Sequence, residues 1–246
     1  MESKANSKRD ILLRKTEGIA PAKQSSSSEV SAFLNQAKSI KPGVGGKGRV
    51  ILALDATMSR QPTWDMAARI QAQMFHTASE TGSLSMQLVY FRGFGECRAS
   101  AWANDAKKLS SMMSKIDCRA GQTQIAKVLK HCAKEHAEKP VSAIVYIGDA
   151  MEENPDTLGH LAGQLGMRSV PLFLFQEGDD RATEVCFKEL ARLTRGGWFR
   201  FDRGSPDVLS RLLSSIARYA TGGLKALKSR NSREDRLLLE KLSGKG

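Results

Sequence analysis

Residues 49–59, RVILALDATMS, decide the fold. They form a run of apolar residues that ends in Asp55 and continues into small polar residues. A strand buried on both faces has this unbroken apolar pattern, whereas a strand with one face in water alternates between apolar and polar residues. Strands of the first kind occur in parallel sheets that are covered by helices on both sides. The stretch therefore predicts a buried strand of an α/β protein.

The same pattern returns at residues 141–150, VSAIVYIGDA, where an apolar run again ends in an aspartate, Asp149. Further strands are predicted at residues 84–93, 96–101, 169–175 and 198–201. Helices are predicted between them, at residues 62–80, 105–116, 123–137, 155–165, 182–193 and 206–220. Strands and helices that alternate through short connections form a mostly parallel sheet. We expect a doubly wound, mostly parallel six-stranded sheet with helices on both faces, which is a Rossmann-like α/β fold.

The positive charge is concentrated at the two ends of the chain. The protein has 246 residues and a net charge of +12. Residues 1–48 carry 9 Lys or Arg against 4 Asp or Glu, and residues 225–246 carry 7 against 3. We therefore predict a basic, Ser/Gly-rich N-terminal tail over 1–48, a folded domain over 49–222, and a basic, Leu-containing C-terminal tail over 223–246. Basic tails would contact nucleic acid or an acidic protein.

Cysteine usage and the absence of apolar segments favour a cytoplasmic location. The four cysteines form no CxxC pair, which is typical of reduced thiols in a cytosolic protein. Charged residues run through the N-terminal segment, so it does not have the apolar centre of a secretory signal. No apolar run reaches the ~18 residues of a membrane span. We expect a soluble cytoplasmic protein with no membrane span.

Five oxygen-bearing side chains occur where ligands bind in such a fold. Asp55, Thr57 and Ser59 follow the first strand as Asp-x-Thr-x-Ser, Thr123 opens a helix, and Asp149 ends a later strand. Ligands of open α/β sheets bind beyond the carboxyl ends of the strands, where the strand order reverses. Carboxylate and hydroxyl oxygens are hard ligands that suit Mg²⁺, Mn²⁺ or Ca²⁺. A cation held mainly by neutral oxygens would stay electrophilic and would accept a carboxylate from another molecule.

This arrangement resembles the metal-ion-dependent adhesion site (MIDAS) of von Willebrand factor A (vWA) domains. The pattern of that family is Asp-x-Ser-x-Ser, then Thr, then Asp, and the resemblance covers residues 49–222. The family mostly uses its metal to bind an acidic side chain of a protein partner, and its members are not usually enzymes. The resemblance therefore implies a non-catalytic, metal-dependent protein-interaction module whose partner presents Asp or Glu.

The resemblance also implies a role for each position. Ser59, Thr57 and Thr123 would supply direct metal oxygens, and Asp55 and Asp149 would act through bound waters or hydrogen bonds. Thr57 departs from the serine that is more common in the family. Threonine offers the same hydroxyl with an added methyl group, so ligation would be retained.

Alternative interpretations of these residues stay open. An aspartate at the end of a strand is often a helix cap, so Asp55 and Asp149 could each cap the helix that follows. A vWA-like fold with a vestigial site is a second alternative. A metal-dependent hydrolase is a third, with Glu152 and Glu153 as candidate bases, although acids in a solvated loop are the simpler interpretation.

Three further features are interpreted as structural or unrelated to the site. His131, Cys132 and His136 lie on one predicted helix but have no further ligands for a soft metal. Basic tails favour nucleic-acid binding as the alternative function, with salt-dependent affinity. The leucines of the C-terminal segment predict either an amphipathic helix that docks on a partner or a solvated tail.

Overall fold

The computed structural model describes residues 47–57, 61–79, 82–201 and 206–243. Nearly all of the predicted N-terminal tail and the candidate metal ligand Ser59 lie outside the described residues. The six strands are β1 (Lys47–Asp55), β2 (Ser83–Arg92), β3 (Glu96–Ala99), β4 (Ala143–Gly148), β5 (Leu172–Glu177) and β6 (Gly197–Phe201). The helices described are α1 (Gln61–Ser79), α2 (Ala106–Met113), α3 (Ile125–Glu138), α4 (Pro155–Met167), α5 (Arg181–Thr194), α6 (Pro206–Arg230) and α7 (Arg233–Leu242).

The strands form one sheet in the order β3-β2-β1-β4-β5-β6. Every neighbouring pair is parallel except β2 with β3, which is an antiparallel hairpin. The prediction of a mostly parallel six-stranded sheet is therefore confirmed. From β1 the chain builds outward to β2 and β3 on one side, and then to β4, β5 and β6 on the other. The strand order thus reverses between β1 and β4, which is where a ligand crevice opens in folds of this kind.

Helices cover both faces of the sheet and bury β1 from its second residue, Gly48, to Asp55. Val50, Leu52 and Leu54 point into one core, whereas Ile51 and Ala53 point into the other. The first core also receives residues of α1, α2, α6 and α7, such as Met74, Leu109, Ile216 and Leu238. The second receives residues of α3, α4 and α5, such as Leu129, Leu158 and Phe187. The unbroken apolar run at the start of the domain is explained by this burial on both faces.

A polar cluster closes the amino-terminal half of the sheet. Arg49, only 9% exposed, stacks its guanidinium 3.8 Å from the ring centroid of Trp102. Glu135 of α3 accepts hydrogen bonds from Arg49 (3.3 Å), from the Trp102 indole (2.9 Å) and from Gln87 (3.3 Å). Each buried polar group in the cluster thus has a partner, as burial requires. The positive charge of Arg49 is therefore paired with the carboxylate of Glu135.

The C-terminal segment packs on the domain itself. The predicted boundary at residue 222 falls inside α6, which continues across a non-helical Gly223 to Arg230. Helix α7 follows, with Ser232 and Asp235 forming a capping box at its start. Leu238 of α7 is fully buried in the first core. Helix α7 is therefore part of the body, unlike either sequence interpretation of this segment.

A buried ion pair joins α7 to α6. Asp235 is completely buried, and it accepts hydrogen bonds from the Arg218 guanidinium and the Ser232 hydroxyl, each at 2.7 Å. Burial alone would raise the pKa of the Asp235 carboxyl. The hydrogen bonds from Arg218, Ser232 and Ser215 outweigh burial and hold that pKa below its ordinary value. The ionised carboxylate therefore stabilises the folded protein.

We predict that Asp235→Asn lowers the free energy of unfolding by about 3 kcal/mol at neutral pH, because it leaves the Arg218 charge buried without its counterion. The lowered pKa means that this stabilisation is complete above the ordinary pKa of aspartate and is lost as pH falls through the lowered value. Urea unfolding of wild type and variant should therefore give a difference that shrinks below about pH 4.

The matched control is Glu234→Gln, which removes the neighbouring carboxylate from its pair with the exposed Arg211. We expect it to change the free energy of unfolding by less than about 1 kcal/mol. A loss for Asp235→Asn that is equally small, or that does not vary with pH, would contradict the assignment.

Candidate functional site

The crevice between β1 and β4 brings together the ends of two strands that carry the predicted aspartates. Leu54 pairs with Ile147 in the parallel register, so Asp55 and Gly148 follow side by side. Asp149 comes directly after Gly148 and is half-buried. Both carboxylates thus lie at the carboxyl edge of the sheet, at the point where the strand order reverses.

Asp55 is a nearly buried carboxylate at the start of a tight turn. Asp55 is only 4% exposed, and its Oδ1 accepts a hydrogen bond of 2.8 Å from the Thr57 amide. This bond to the residue two positions on forms an Asx-type turn and holds the Thr57 backbone beside the carboxylate. Helix α1 begins only at Gln61, so the described hydrogen bond shapes the turn that follows β1.

Asp149 does not cap the helix that follows it. The N-cap of α4 is Asn154, whose side chain accepts a hydrogen bond from the Thr157 amide. The alternative interpretation of Asp149 as a helix cap is therefore wrong. Four residues lie between Asp149 and Asn154, and two of them, Glu152 and Glu153, contact the segment around Thr123.

Thr123 is locked to that segment by two reciprocal hydrogen bonds. Its amide donates to Glu152 Oε2 at 3.0 Å, and the Glu152 amide donates to Thr123 Oγ1 at 3.1 Å. Thr123 is 7% exposed, so its hydroxyl is held almost out of solvent. An oxygen that accepts one hydrogen bond retains a lone pair and its own proton. The Thr123 hydroxyl is thus fixed in position and still able to bind a cation.

Glu153 caps the helix that begins after Thr123. Helix α3 has no side-chain hydrogen bond from its own N-cap residue, Gln124. The Glu153 carboxylate instead accepts hydrogen bonds from the Ile125 amide at 2.5 Å and the Ala126 amide at 2.9 Å. A carboxylate at a helix N-terminus satisfies free amides and complements the helix dipole. Glu152 is exposed and Glu153 is partly buried, as expected for acids of a loop, and both also hold the Thr123 loop through hydrogen bonds.

The Thr123 loop is also tied to β1 and to the β2–β3 hairpin. The Arg119 amide donates to the Ala56 carbonyl at 3.0 Å, directly after Asp55. Gly121 lies against the backbone of Gly93, where an added Cβ would be 2.2 Å from the Gly93 carbonyl oxygen. Only glycine allows this approach. The loop, the end of β1 and the hairpin therefore hold one another in place.

Gln124 and Lys127 complete the attachment of the hairpin. The buried Gln124 amide group donates to the carbonyls of Arg92 and Glu96 at 3.3 Å each, and Lys127 Nζ donates to the Gly95 carbonyl at 2.8 Å. Between these anchor points Phe94 is 84% exposed, the highest value among the large hydrophobic residues described. No periodic pattern in the sequence indicates Phe94, because it is an isolated aromatic residue between two glycines.

The donor groups that the structure describes at this edge are all oxygens. Asp55, Thr57, Thr123 and Asp149 lie on three segments that meet there, and they suit a hard divalent cation better than zinc or copper. No group of three His, Cys, Asp or Glu side chains that could hold a metal occurs within the ranges described. The predicted metal ligands do not form a group of that kind, because only two of the five are carboxylates. The other three are hydroxyls, one of them from Ser59. The described residues therefore fit four of the five positions of a MIDAS-type donor set, and Ser59 is the fifth.

The histidines and cysteine of α3 have other roles. His131 contacts Gln87 Oε1 at 2.9 Å, His136 accepts a hydrogen bond from the Val141 amide, and Cys132 is fully buried in the second core. Both histidines thus have protein partners, and Cys132 is a core residue that does not lie on the helix surface. All four cysteines are free thiols. No helix of the described ranges is both long and apolar enough to span a membrane.

Known structures share this fold at low sequence identity. No protein-family model matches the chain, and no curated protein has a significantly similar sequence. A von Willebrand factor type A protein from Catenulispora acidiphila superposes with a TM-score of 0.56 at 13% identity, over 71% of this chain and 43% of that one. The SpRpn10 VWA domain gives 0.51 at 15% identity, over 72% of this chain and 97% of that one.

A third similar structure carries a metal site of the predicted type. Proximal thread matrix protein 1 of the mussel byssus, with a zinc-occupied MIDAS motif, superposes with a TM-score of 0.54 at 15% identity. That similarity covers 77% of this chain and 51% of the mussel protein. This chain thus spans less than two thirds of the mussel and Catenulispora proteins. The residues that the structure describes have the von Willebrand factor A fold.

Proposed function

We propose that this protein is a metal-dependent protein-interaction module. A divalent cation, Mg²⁺ or alternatively Mn²⁺ or Ca²⁺, would be held at the crevice between β1 and β4 and would bind an Asp or Glu side chain of a partner. The observation that carries the proposal is the convergence of the Asp55, Thr123 and Asp149 segments at the switch point, joined by the Thr123–Glu152 hydrogen bonds. The zinc-occupied MIDAS of the mussel protein supports it by analogy of fold.

Each described residue has a defined part in this proposal. The Thr57 and Thr123 hydroxyls, with Ser59 from the sequence pattern, would bind the cation directly. The carboxylates of Asp55 and Asp149 would accept hydrogen bonds from waters on the cation. The cation would supply the positive charge to which the carboxylate of the partner binds. Because most direct ligands are neutral, little of that charge would be cancelled before the partner arrives.

We further propose that the module binds its partner without catalysis. Glu152 and Glu153 were the candidate bases for a metal-dependent hydrolase. Both carboxylates accept hydrogen bonds from backbone amides, which hold them against the Thr123 loop. A general base must be directed at the nucleophile, whereas these groups are directed at backbone amides. The cytoplasmic location stays a prediction, supported by the free thiols.

Phe94 is a candidate for a second contact with the partner, beside the metal. It is exposed on a hairpin whose backbone is fixed by Gln124 and Lys127, and that hairpin packs against the loop that carries Thr123. Exposed aromatic residues on a rigid base are frequent anchors of binding energy in interfaces. We therefore propose that the partner segment carries an apolar side chain near its acidic residue. Contact with nucleic acid through the basic tails stays a prediction.

The first prediction concerns metal binding and stability. Millimolar Mg²⁺ or Mn²⁺ should raise the unfolding temperature of the wild type relative to EDTA, because a cation that binds only the folded state stabilises it. The gain is about 2.7 kcal/mol at a hundredfold excess over Kd. Asp55→Asn should abolish the shift, while the control Glu240→Gln, which neutralises an exposed carboxylate on α7, should keep it. Equal shifts in all three proteins would contradict the proposal.

The second prediction separates the apolar contact from the metal. Peptides that each contain one Asp are selected from a displayed library for binding to the wild type in Mg²⁺. Phe94→Ser should weaken the binding of a selected peptide by roughly tenfold to a hundredfold, the effect of losing one buried aromatic contact. The same variant should keep the full metal-dependent thermal shift.

The control for Phe94 is Met167→Ser, which removes an apolar side chain that is 82% exposed at the far end of α4. It should leave peptide affinity unchanged. If both substitutions weaken binding equally, or if selected peptides bind as well in EDTA, the partner chemistry proposed for this face is wrong.

A further inference from the structure

A second cavity lies at the opposite end of the sheet from Asp55. It has a volume of about 370 Å³ and lies between the end of α5, the start of β6 and helix α7. Gly197 begins β6 and pairs with Phe173 near the start of β5, so the cavity is beside the amino ends of these strands. Its size is at the lower end of the range for pockets that bind small molecules. The proposed interaction site does not involve this cavity.

Four cationic side chains line the cavity, and two of them are already neutralised. Lys188 forms an ion pair of 2.5 Å with Glu184, and Arg192 forms one of 2.7 Å with Glu189. These two residues lie one turn apart on α5. Their charges are therefore largely satisfied by acidic residues of the same helix.

The other two cations, Arg195 and Lys241, form no ion pair with any carboxylate of the described residues. Arg195 ends α5 in the left-handed conformation (φ 54°), and Lys241 comes from α7. A Cβ added to Gly197 would lie 3.4 Å from Lys241 Cγ, so the stem of this lysine crosses the start of β6. The negative ends of the α5 and α7 dipoles explain a cation at the end of each helix. They do not explain why the cations of two separate helices line the same cavity.

An indole ring forms the remaining side of the cavity. Trp198 is half-buried, and its Nε1 donates a hydrogen bond of 3.0 Å to Oε1 of the fully buried Gln176. Gln176 is held in turn by its own hydrogen bond to the Asp180 carbonyl. The ring is thus fixed in orientation, with Lys188 Nζ 4.4 Å from its centroid. A fixed aromatic surface beside unpaired cations suits a ligand that has both a flat ring and an anionic group.

We propose that this cavity binds the phosphate of a phosphorylated nucleoside, either a free mononucleotide or the 5′ end of a nucleic-acid strand. Arg195 and Lys241 bind the phosphate, and the base displaces the exposed Lys188 side chain from the face of Trp198. Aromatic residues stack on bases without regard to sequence, and guanidinium and ammonium groups are the usual phosphate ligands in proteins. The proposal does not depend on the metal site.

The test uses the full chain and AMP as the probe, with binding measured by calorimetry and by quenching of tryptophan fluorescence. Arg195→Gln and Lys241→Gln should each weaken AMP binding about tenfold, since each removes one charge-assisted contact. Lys130→Gln removes an equal charge from an exposed position on α3 and should have no measurable effect. Trp198→Phe should remove the fluorescence response, and thermal unfolding checks that every variant is folded.

Comparison of ligands completes the test. Ribose 5-phosphate, which lacks the base, should bind more weakly than AMP, and a 5′-phosphorylated oligonucleotide compared with AMP shows which of the two sources is preferred. The proposal is overturned if AMP does not bind at millimolar concentration, if it binds the two charge variants as well as the wild type, or if ribose 5-phosphate binds as tightly as AMP.

Discussion

The position of β1 is the constraint on which the rest of the structure depends. The strand has hydrogen-bonded neighbours on both sides and helices over both faces, so its interior positions can hold only apolar side chains. Polar groups can occur only at its ends. At the amino-terminal end Arg49 is neutralised by Glu135, and at the carboxyl end Asp55 lies in the crevice next to β4. The topology of the sheet therefore decides which end of β1 is available for a ligand.

The candidate site is built mainly by contacts between loops that are far apart in the sequence. Glu152 and Glu153 follow β4, yet they fix the loop and helix that carry Thr123, about 30 residues earlier. Gly121 and Gln124 then fasten this loop to the β2–β3 hairpin. The hydroxyl of Thr123 is thus positioned by several independent backbone contacts before any cation binds. A site that is organised in advance loses less conformational entropy on binding than one that must be ordered by its ligand.

Sequence patterns were sufficient for the sheet and insufficient for the contacts that position the site. The apolar runs before Asp55 and Asp149 predicted two buried strands, because burial on both faces leaves a clear signature. The roles of Glu153 as a cap for α3 and of Asp235 as the counterion of Arg218 depend on tertiary neighbours, which have no local signature. The C-terminal leucines were ambiguous for the same reason, since only the folded structure shows that Leu238 enters the core.

Titration of the full chain with Mn²⁺, followed by electron paramagnetic resonance of the free ion, shows whether a divalent cation binds beside Asp55 and Thr123. We expect one bound Mn²⁺ per chain, displaced by excess Mg²⁺ and lost in Thr123→Val, which keeps the shape of the side chain but removes its hydroxyl. Thr123→Ser, which restores the hydroxyl, should restore binding. Absence of bound Mn²⁺ in the wild type, or equal binding in Thr123→Val, would contradict a cation site at this edge of the sheet.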